Sequence, residues 1–393
     1  MKDSKVKIIV TGGGTAGHVT PILSISEEIV RQSPEAVIRF IGQRADKRIA
    51  KLVKKCSAIN DSYYITAGKL RRFHGRGFFW YLAHPSIIIR NFIDIFKLSV
   101  GIVQSLILLI RWRPSVVFVK GGFVGLPVGL AAALLRIKIV THDSDAVPGL
   151  TNRILAKFSA VSAVALPEKY YSKYYSESKT VQTGVPINNA FFDASSADTA
   201  KQRLNINKEL KVLFVIGGSL GAVRLNNSML AVAPSLLKNN PNLKIIWSTG
   251  EYQHKELEAA INKLGLGSLI QIKPFFDNLP DIFSASTIIV SRAGATTIAE
   301  LAASQKPCIF VPNPVLTGGH QTKNADILKD NNACIVVSEQ SLENSGGGQP
   351  LQGAIEELLS NPALQKKLAV NLSKFADKDS TKKLAKLILG ANK

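Results

Sequence analysis

His18 is the residue best suited, by type and place, to move a proton. It closes the run Gly12-Gly13-Gly14-Thr15-Ala16-Gly17-His18, which follows an apolar β-branched stretch and precedes a helical pattern. Glycines let a chain turn tightly and bring backbone N–H groups and a helix N-terminus up to a ligand, commonly a phosphate. A histidine at the C-terminal edge of a sheet faces the crevice where doubly wound folds bind ligands, and its imidazole can accept a proton near neutrality. The competing explanation is a capping or internally satisfied histidine. The loop lacks both a GxGxxG pattern with a well-placed acidic residue and the GK[ST] of a Walker loop.

Two further clusters could hold a phosphorylated ligand. Gly217-Gly218-Ser219-Leu220-Gly221 repeats the glycine turn in the second half, where Ser219 can donate to a phosphate oxygen unless it is a simple N-cap. Helix-start amides there would add roughly 0.3–1 kcal/mol for an anion. Ser291-Arg292-Ala293-Gly294-Ala295-Thr296-Thr297-Ile298-Ala299-Glu300 follows another strand-like run. Glu300 could accept both hydroxyls of a ribose, as acidic residues do in nucleotide sites. Alternatively, Thr297 and Glu300 have the S/T-x-x-E spacing of a capping box.

These residues need strands to end beside them and helices to begin there. Lys5–His18 and Lys211–Ala222 each read as strand, glycine turn and helix, with helical patterns over Pro21–Gln32 and Leu225–Leu237. Further strand-like runs are Val37–Ile41, Ser115–Val119, Ile137–Thr141, Lys244–Ser248, Thr287–Val290 and Pro307–Val311. The alternation predicts an α/β chain of two Rossmann-like, doubly wound parallel-sheet domains. The expected division is 1–186, 187–365, and a Lys-rich C-terminal helix over 366–393 that returns to the first domain. A length of 393 residues fits two cores.

The net charge of +21 implies an anionic partner: nucleic acid, an acidic membrane surface or a phosphorylated ligand. No RNP-like, helix-turn-helix or zinc pattern supports nucleic acid. Cys56, Cys308 and Cys334 are far apart, which argues against a disulfide framework or zinc site and for a reducing compartment. No DxD-like diphosphate–metal signature is suitably placed, so a protein-bound metal is not required, and no cofactor is implied. The N-terminus runs straight into a strand, without a signal-peptide pattern.

Between Ser86 and Ile110, Arg90, Asp94, Lys97, Gly101 and Gln104 form a narrow polar stripe in an otherwise apolar helical stretch. The charge-free run Leu98–Ile110 falls short of the ~20 residues of a membrane span. The segment is therefore expected to pack in the core or, as the second reading, to lie on lipid. Upstream, Lys69–Arg72, Arg76 and Phe78-Phe79-Trp80-Tyr81 mix cations with aromatics, as suits a membrane interface.

Taken together, GGGTAGHVTP, GGFVGLP at Gly121–Pro127, GVPI at Gly184–Ile187, GGSLGAVRLN at Gly217–Asn226, SRAGATTIAELAA at Ser291–Ala303 and GHQTKNA at Gly319–Ala325 resemble the MurG glycosyltransferase family in order and spacing. The resemblance implies a GT-B fold, with the active site in a cleft between two Rossmann-like domains. It also implies transfer of N-acetylglucosamine from UDP-N-acetylglucosamine to the 4-hydroxyl of lipid-linked N-acetylmuramoyl-pentapeptide (lipid I to lipid II), at the cytoplasmic face of the cell membrane. Carried over by position, Thr15, Ala16 and Gly17 meet the donor sugar, Ser219 the phosphates and Phe276 the uracil. Ala295, Thr296, Thr297, Ile298, Ala299 and Glu300 line phosphate and ribose, and His320 and Gln321 reach the sugar. Gly14, His18 as base, and Phe123 face the acceptor. The surface over Lys69–Tyr81 and part of 86–112 meets the anionic bilayer.

Three positions depart from the family pattern. Ala16 replaces a glycine, Asp145 stands at an amide position on the sugar in His142-Asp143-Ser144-Asp145, and Asn188 replaces an arginine. The last two make the site less positive by this reading. Alternatives are a related enzyme using a UDP-sugar on another lipid acceptor, and a UDP-N-acetylglucosamine epimerase of the same fold.

Overall fold

The computed structural model describes residues 5–13, 16–44, 47–69, 84–193, 195–218, 221–315, 317–344 and 348–392, with the backbone alone at residues 16, 47, 48, 317, 343 and 344. The chain forms two compact units: Met1–Ile187 together with Asp379–Lys393, and Asn188–Lys378.

The first unit holds a seven-stranded sheet in the order β3-β2-β1-β4-β5-β6-β7, every pairing parallel. Its strands are β1 (Lys7–Thr11), β2 (Val37–Gln43), β3 (Asp61–Ile65), β4 (Val116–Val119), β5 (Lys138–Asp143), β6 (Val161–Val164) and β7 (Thr180–Gln182). Central parallel strands are covered on both faces, so they read as continuous apolar runs. All four residues of β4 are buried. Alternate β1 residues feed opposite faces: Ile8 and Val10 join one core with Ile22, Ile25 and Ile29, while Ile9 joins another with Val117 and Val119. The last helix, Ser380–Gly390, adds Leu384, Ala385 and Ile388 to the first of these cores, against the helix Ala16–Gln32. Leu384 and Ile388 each contribute about 1.5–3 kcal/mol on full burial.

The second unit repeats the plan with a six-stranded parallel sheet, β10-β9-β8-β11-β12-β13. Its strands are β8 (Lys211–Ile216), β9 (Leu243–Ser248), β10 (Ile270–Lys273), β11 (Ile288–Ser291), β12 (Cys308–Phe310) and β13 (Ile335–Val336). In each sheet the order reverses at the first strand, beside β4 in one and β11 in the other. Ligands of open α/β sheets bind at the carboxyl ends of such strands.

The helix Pro85–Trp112 corrects the expectation of core packing. Asp94, Gly101, Ser105 and Leu109 are its buried residues, while Phe92 is 75% and Phe96 68% exposed. Asp94, Gly101 and Gln104 of the polar stripe thus turn inward, while Arg90 and Lys97 stay exposed. Gln104 accepts a hydrogen bond from the Thr66 amide at 2.7 Å. A Cβ on Gly101 would lie 2.2 Å from the Thr66 carbonyl oxygen, and one on Gly68 1.9 Å from that of Asp94. Small residues let the loop and the helix backbone touch, and this contact sends the apolar face outward. By length and composition the helix could cross a membrane, but its inner stripe is committed to the domain. Leu70–Tyr81, which carries most of the cationic-aromatic segment, lies outside the described residues.

Candidate active site

In the first unit, the loops after β1 and β4 interlock at the switch point. A Cβ on Gly12 would meet Ile22 Cδ1 at 2.9 Å, and one on Gly122 (φ +77°) would meet the Gly13 carbonyl oxygen at 2.1 Å. Only glycine permits this approach. The turn delivers the chain into the helix Ala16–Gln32, with Gly17 exposed and His18 partly exposed in its first turn. That placement keeps His18 out of the fully buried core. Gly14 and Thr15 lie outside the described residues, and Ala16 is described by its backbone alone. Phe123, on the neighbouring loop, is partly buried against the second core.

Lys120 sits beside this turn and was missed in the sequence because a single lysine after a strand carries no pattern. It is 3% exposed, and its Nζ donates to Ser144 Oγ at 2.8 Å. Burial pulls its ammonium down to about 8, while Asp143 and Asp145 act in the opposite sense. Asp143 is buried, and burial raises its carboxyl. It accepts from the Gly149 amide at 3.1 Å and from the Tyr175 hydroxyl. Asp145 is partly exposed, and its carbonyl accepts from Tyr171. A buried cation, Lys120, therefore lies close enough to feel Asp145 electrostatically. His142 is fully buried and bonds through Nε2 to the Gly184 carbonyl; burial pushes it well below the usual imidazole range. Asn188 is exposed and caps the short turn Asn189–Phe191 by accepting from the Ala190 amide.

In the second unit, three loops meet at the ends of β8, β9 and β11. Gly218 and Gly221 have φ of +85° and +75°, and a Cβ on Gly221 would lie 2.7 Å from the Thr249 carbonyl oxygen. Asn226, early in the helix Val223–Asn239, ties these loops together. It donates to the Thr249 carbonyl and to Gln253, and accepts from Trp247 Nε1. Ser219 lies outside the described residues. Phe276, beyond β10, stands edge-on to Phe214 with centroids 6.0 Å apart, and Lys273 Nζ lies 5.4 Å from its centroid.

After β11, the helix Ala295–Ala303 has Gly294 as its N-cap and no side-chain cap. Thr297 is therefore inside the helix, and the capping-box explanation for Thr297 and Glu300 fails. A helix start without a capping side chain directs amides at whatever lies in front of it. Gly318 and Gly319, both at positive φ, turn the chain into the helix His320–Asp330. Gln321 in its first turn accepts from the Asn313 amide at 3.0 Å and stands 4.0 Å from a Cβ built on Gly294. Asn324 donates to the Ala293 carbonyl. The structure thus brings Gly294, Ala295, Thr296, His320 and Gln321 to one edge. Ile298 and Ala299 point their side chains into the core, so only their backbones can serve a ligand. Glu300 is partly buried, and burial alone pushes its carboxyl up to about 8.

Behind this edge lies an ion network that sequence reading also missed. Arg292 is 7% exposed, donates to the Val311 carbonyl at 2.9 Å and pairs with buried Glu339. Arg224, half-exposed, pairs with the other Glu339 oxygen at 2.9 Å. Partners separated by such chain distances leave no local signature.

Residues 8–164 match the glycosyltransferase family 28 N-terminal domain, and residues 212–384 match its C-terminal domain. A Listeria monocytogenes (strain EGD-e) protein is 31% identical over 388 residues, covering 99% of this chain and 100% of its own. This chain belongs to glycosyltransferase family 28. That relative is named UDP-N-acetylglucosamine–N-acetylmuramyl-(pentapeptide) pyrophosphoryl-undecaprenol N-acetylglucosamine transferase, as is a Clostridium botulinum protein 35% identical over 91% of both chains. The family assignment agrees with the crystal structure of Acinetobacter baumannii MurG, which is 25% identical with a TM-score of 0.69 over 98% of this chain and 99% of that one. The GT-B fold is therefore established for this family member. A Neisseria meningitidis UDP-GlcNAc 2-epimerase bound to UDP-GlcNAc, 14% identical with a TM-score of 0.67 over 98% of this chain and 100% of its own, shares the fold alone.

Proposed function

We infer that this chain is an inverting transferase that moves N-acetylglucosamine from UDP-N-acetylglucosamine to the 4-hydroxyl of lipid-linked N-acetylmuramoyl-pentapeptide, in peptidoglycan synthesis. One observation carries the reading: the loops after β8 and β11 converge on a glycine-started helix without a capping side chain, in a chain related over its full length to such transferases. His18 takes the acceptor hydroxyl proton as that oxygen attacks the anomeric carbon from the face opposite the diphosphate. The departing UDP is stabilised by amides at Gly217–Gly221 and Ala295–Thr297, by Ser219, and by the helix dipole behind them. UDP release from UDP-N-acetylglucosamine should require the lipid acceptor. Epimerisation of the donor by the protein alone would favour the epimerase reading instead.

Glu300 supports the nucleotide half of the site. A ribose diol donates to a carboxylate, so binding favours the charged form of a group that sits at about 8 without ligand. UDP binding near pH 7 should therefore release a proton, and affinity should rise with pH before levelling above about 8. Calorimetry in two buffers of different ionisation enthalpy measures the proton count. Stability runs the other way. The folded carboxyl lies above its ordinary value of 4.5, so the unliganded protein loses stability as pH rises between those two values. Glu300→Ala should weaken UDP binding about 10- to 100-fold, the range for hydrogen bonds to a charged group. Unchanged affinity would remove Glu300 from the ribose.

The outward apolar face of Pro85–Trp112 supports peripheral docking at the cytoplasmic membrane face, where the +21 charge favours anionic lipid. Phe92→Glu with Phe96→Glu should reduce cosedimentation with anionic vesicles at least about tenfold, given about 1.5–3 kcal/mol per buried apolar side chain, with UDP affinity unchanged. Equal vesicle binding would exclude this face.

A further inference from the structure

Lys120 is buried directly after β4, at the position where the first sheet reverses its order and beside the glycine turn that leads to His18. A Cβ on Gly12 would lie 3.2 Å from Lys120 Cβ. Placing an ammonium in such a position is costly, and an apolar residue of similar volume would often be at least as stabilising. The Asp143 oxygens already receive the Gly149 amide and the Tyr175 hydroxyl. Asp145 is the partly exposed carboxylate, separated from Asp143 only by Ser144, the residue that Lys120 holds by hydrogen bond. Both carboxylates act on Lys120 electrostatically.

We propose that Lys120 is a positioning residue for the donor sugar: its ammonium fixes the Asp143–Asp145 loop and balances Asp145. A carboxylate can then accept a hydrogen bond from a sugar hydroxyl with part of its charge offset by the ammonium. This extends the transferase reading above and rests on its placement of Asp145 at the sugar. An amide at that position would both donate and accept, whereas a carboxylate only accepts. Lys120 and Asp145 therefore act as a unit, and the chemistry they select is a hydroxyl donor on the sugar.

Four variants test the pairing: Lys120→Gln, which can still donate to Ser144 without the charge, Lys120→Met, Asp145→Asn, and the double variant Lys120→Gln with Asp145→Asn. The first readout is binding of UDP-N-acetylglucosamine relative to UDP, by calorimetry, which reports the sugar's share of affinity whether or not transfer occurs. Lys120→Gln should lower that ratio about tenfold, within the coupling range for residues of one network, with UDP affinity itself unchanged. In transfer assays the KM for donor should rise by a similar factor while kcat falls less. The double variant should recover most of the loss, since the carboxylate whose charge Lys120 offsets has gone. An unchanged ratio in Lys120→Gln overturns the proposal, and so do single effects that simply multiply in the double variant. Lys120→Met should match Lys120→Gln, and if it does not fold, the Gln variant decides. Failure of the transferase reading would show separately, as absence of product from the unaltered protein.

Discussion

Replacing His18 by alanine is expected to lower turnover by about 10²–10⁴-fold, the range for removing a general base, while UDP binds as before. The two effects separate because His18 belongs to the first unit, whereas the loops assigned to UDP belong to the second. Folding should survive the change, since His18 is only partly buried and alanine has the higher helix propensity. His18→Gln should behave like the alanine variant, because an amide can hydrogen-bond but does not take a proton near neutrality. Steady-state transfer rates, together with calorimetry on UDP, read both halves. Turnover near that of the unaltered protein would remove His18 from the role of base.

A second large effect is expected on stability. Glu339→Ala leaves Arg292 almost fully buried without its counter-charge, and leaves Arg224 without a partner on that side. Breaking one member of a buried ion pair costs about 3–5 kcal/mol. For a unit of this size each kcal/mol moves the midpoint by about 2–4 °C, so a fall of roughly 6–20 °C is expected. Most of the cost belongs to Arg292, because the Arg224 side chain is 47% exposed and solvent screens it. Arg292 opens the loop that ends at Gly294, so the surviving folded protein should also bind UDP more weakly. Thermal melts with and without UDP measure both. A loss below about 1 kcal/mol would mean that Glu339 is not the counter-ion that holds this loop.

Much of this arrangement was legible in the sequence, for physical reasons that differ by residue. The central strands β1, β4, β8 and β11 are covered on both faces, so their apolar runs stand out. Gly12, Gly217 and Gly221 were readable because positive φ or a close neighbouring atom admits no side chain there. The edge strands β3 and β10 carry polar residues, and β13 has only two positions, so none of them has a run to detect. Thr297 and Glu300 matched a capping pattern that the helix start at Ala295 sets aside; spacing alone cannot say where a first turn begins. The polar stripe of Pro85–Trp112 was seen, but its direction depended on Gly68 and Thr66, which belong to a loop before the helix. Lys120 and Glu339 escaped notice because their meaning lies in partners that are distant in the chain.

Alternative uses of one fold are separated by what happens to the sugar. The most direct measurement incubates the protein with radiolabelled UDP-N-acetylglucosamine and a short-chain lipid I analogue, then follows label into the lipid fraction. The account predicts label in the lipid product as a β-1,4-linked N-acetylglucosamine, with UDP released in equal amount and product formation lost in His18→Ala. Unlabelled lipid alongside a correctly folded, UDP-binding protein would contradict it.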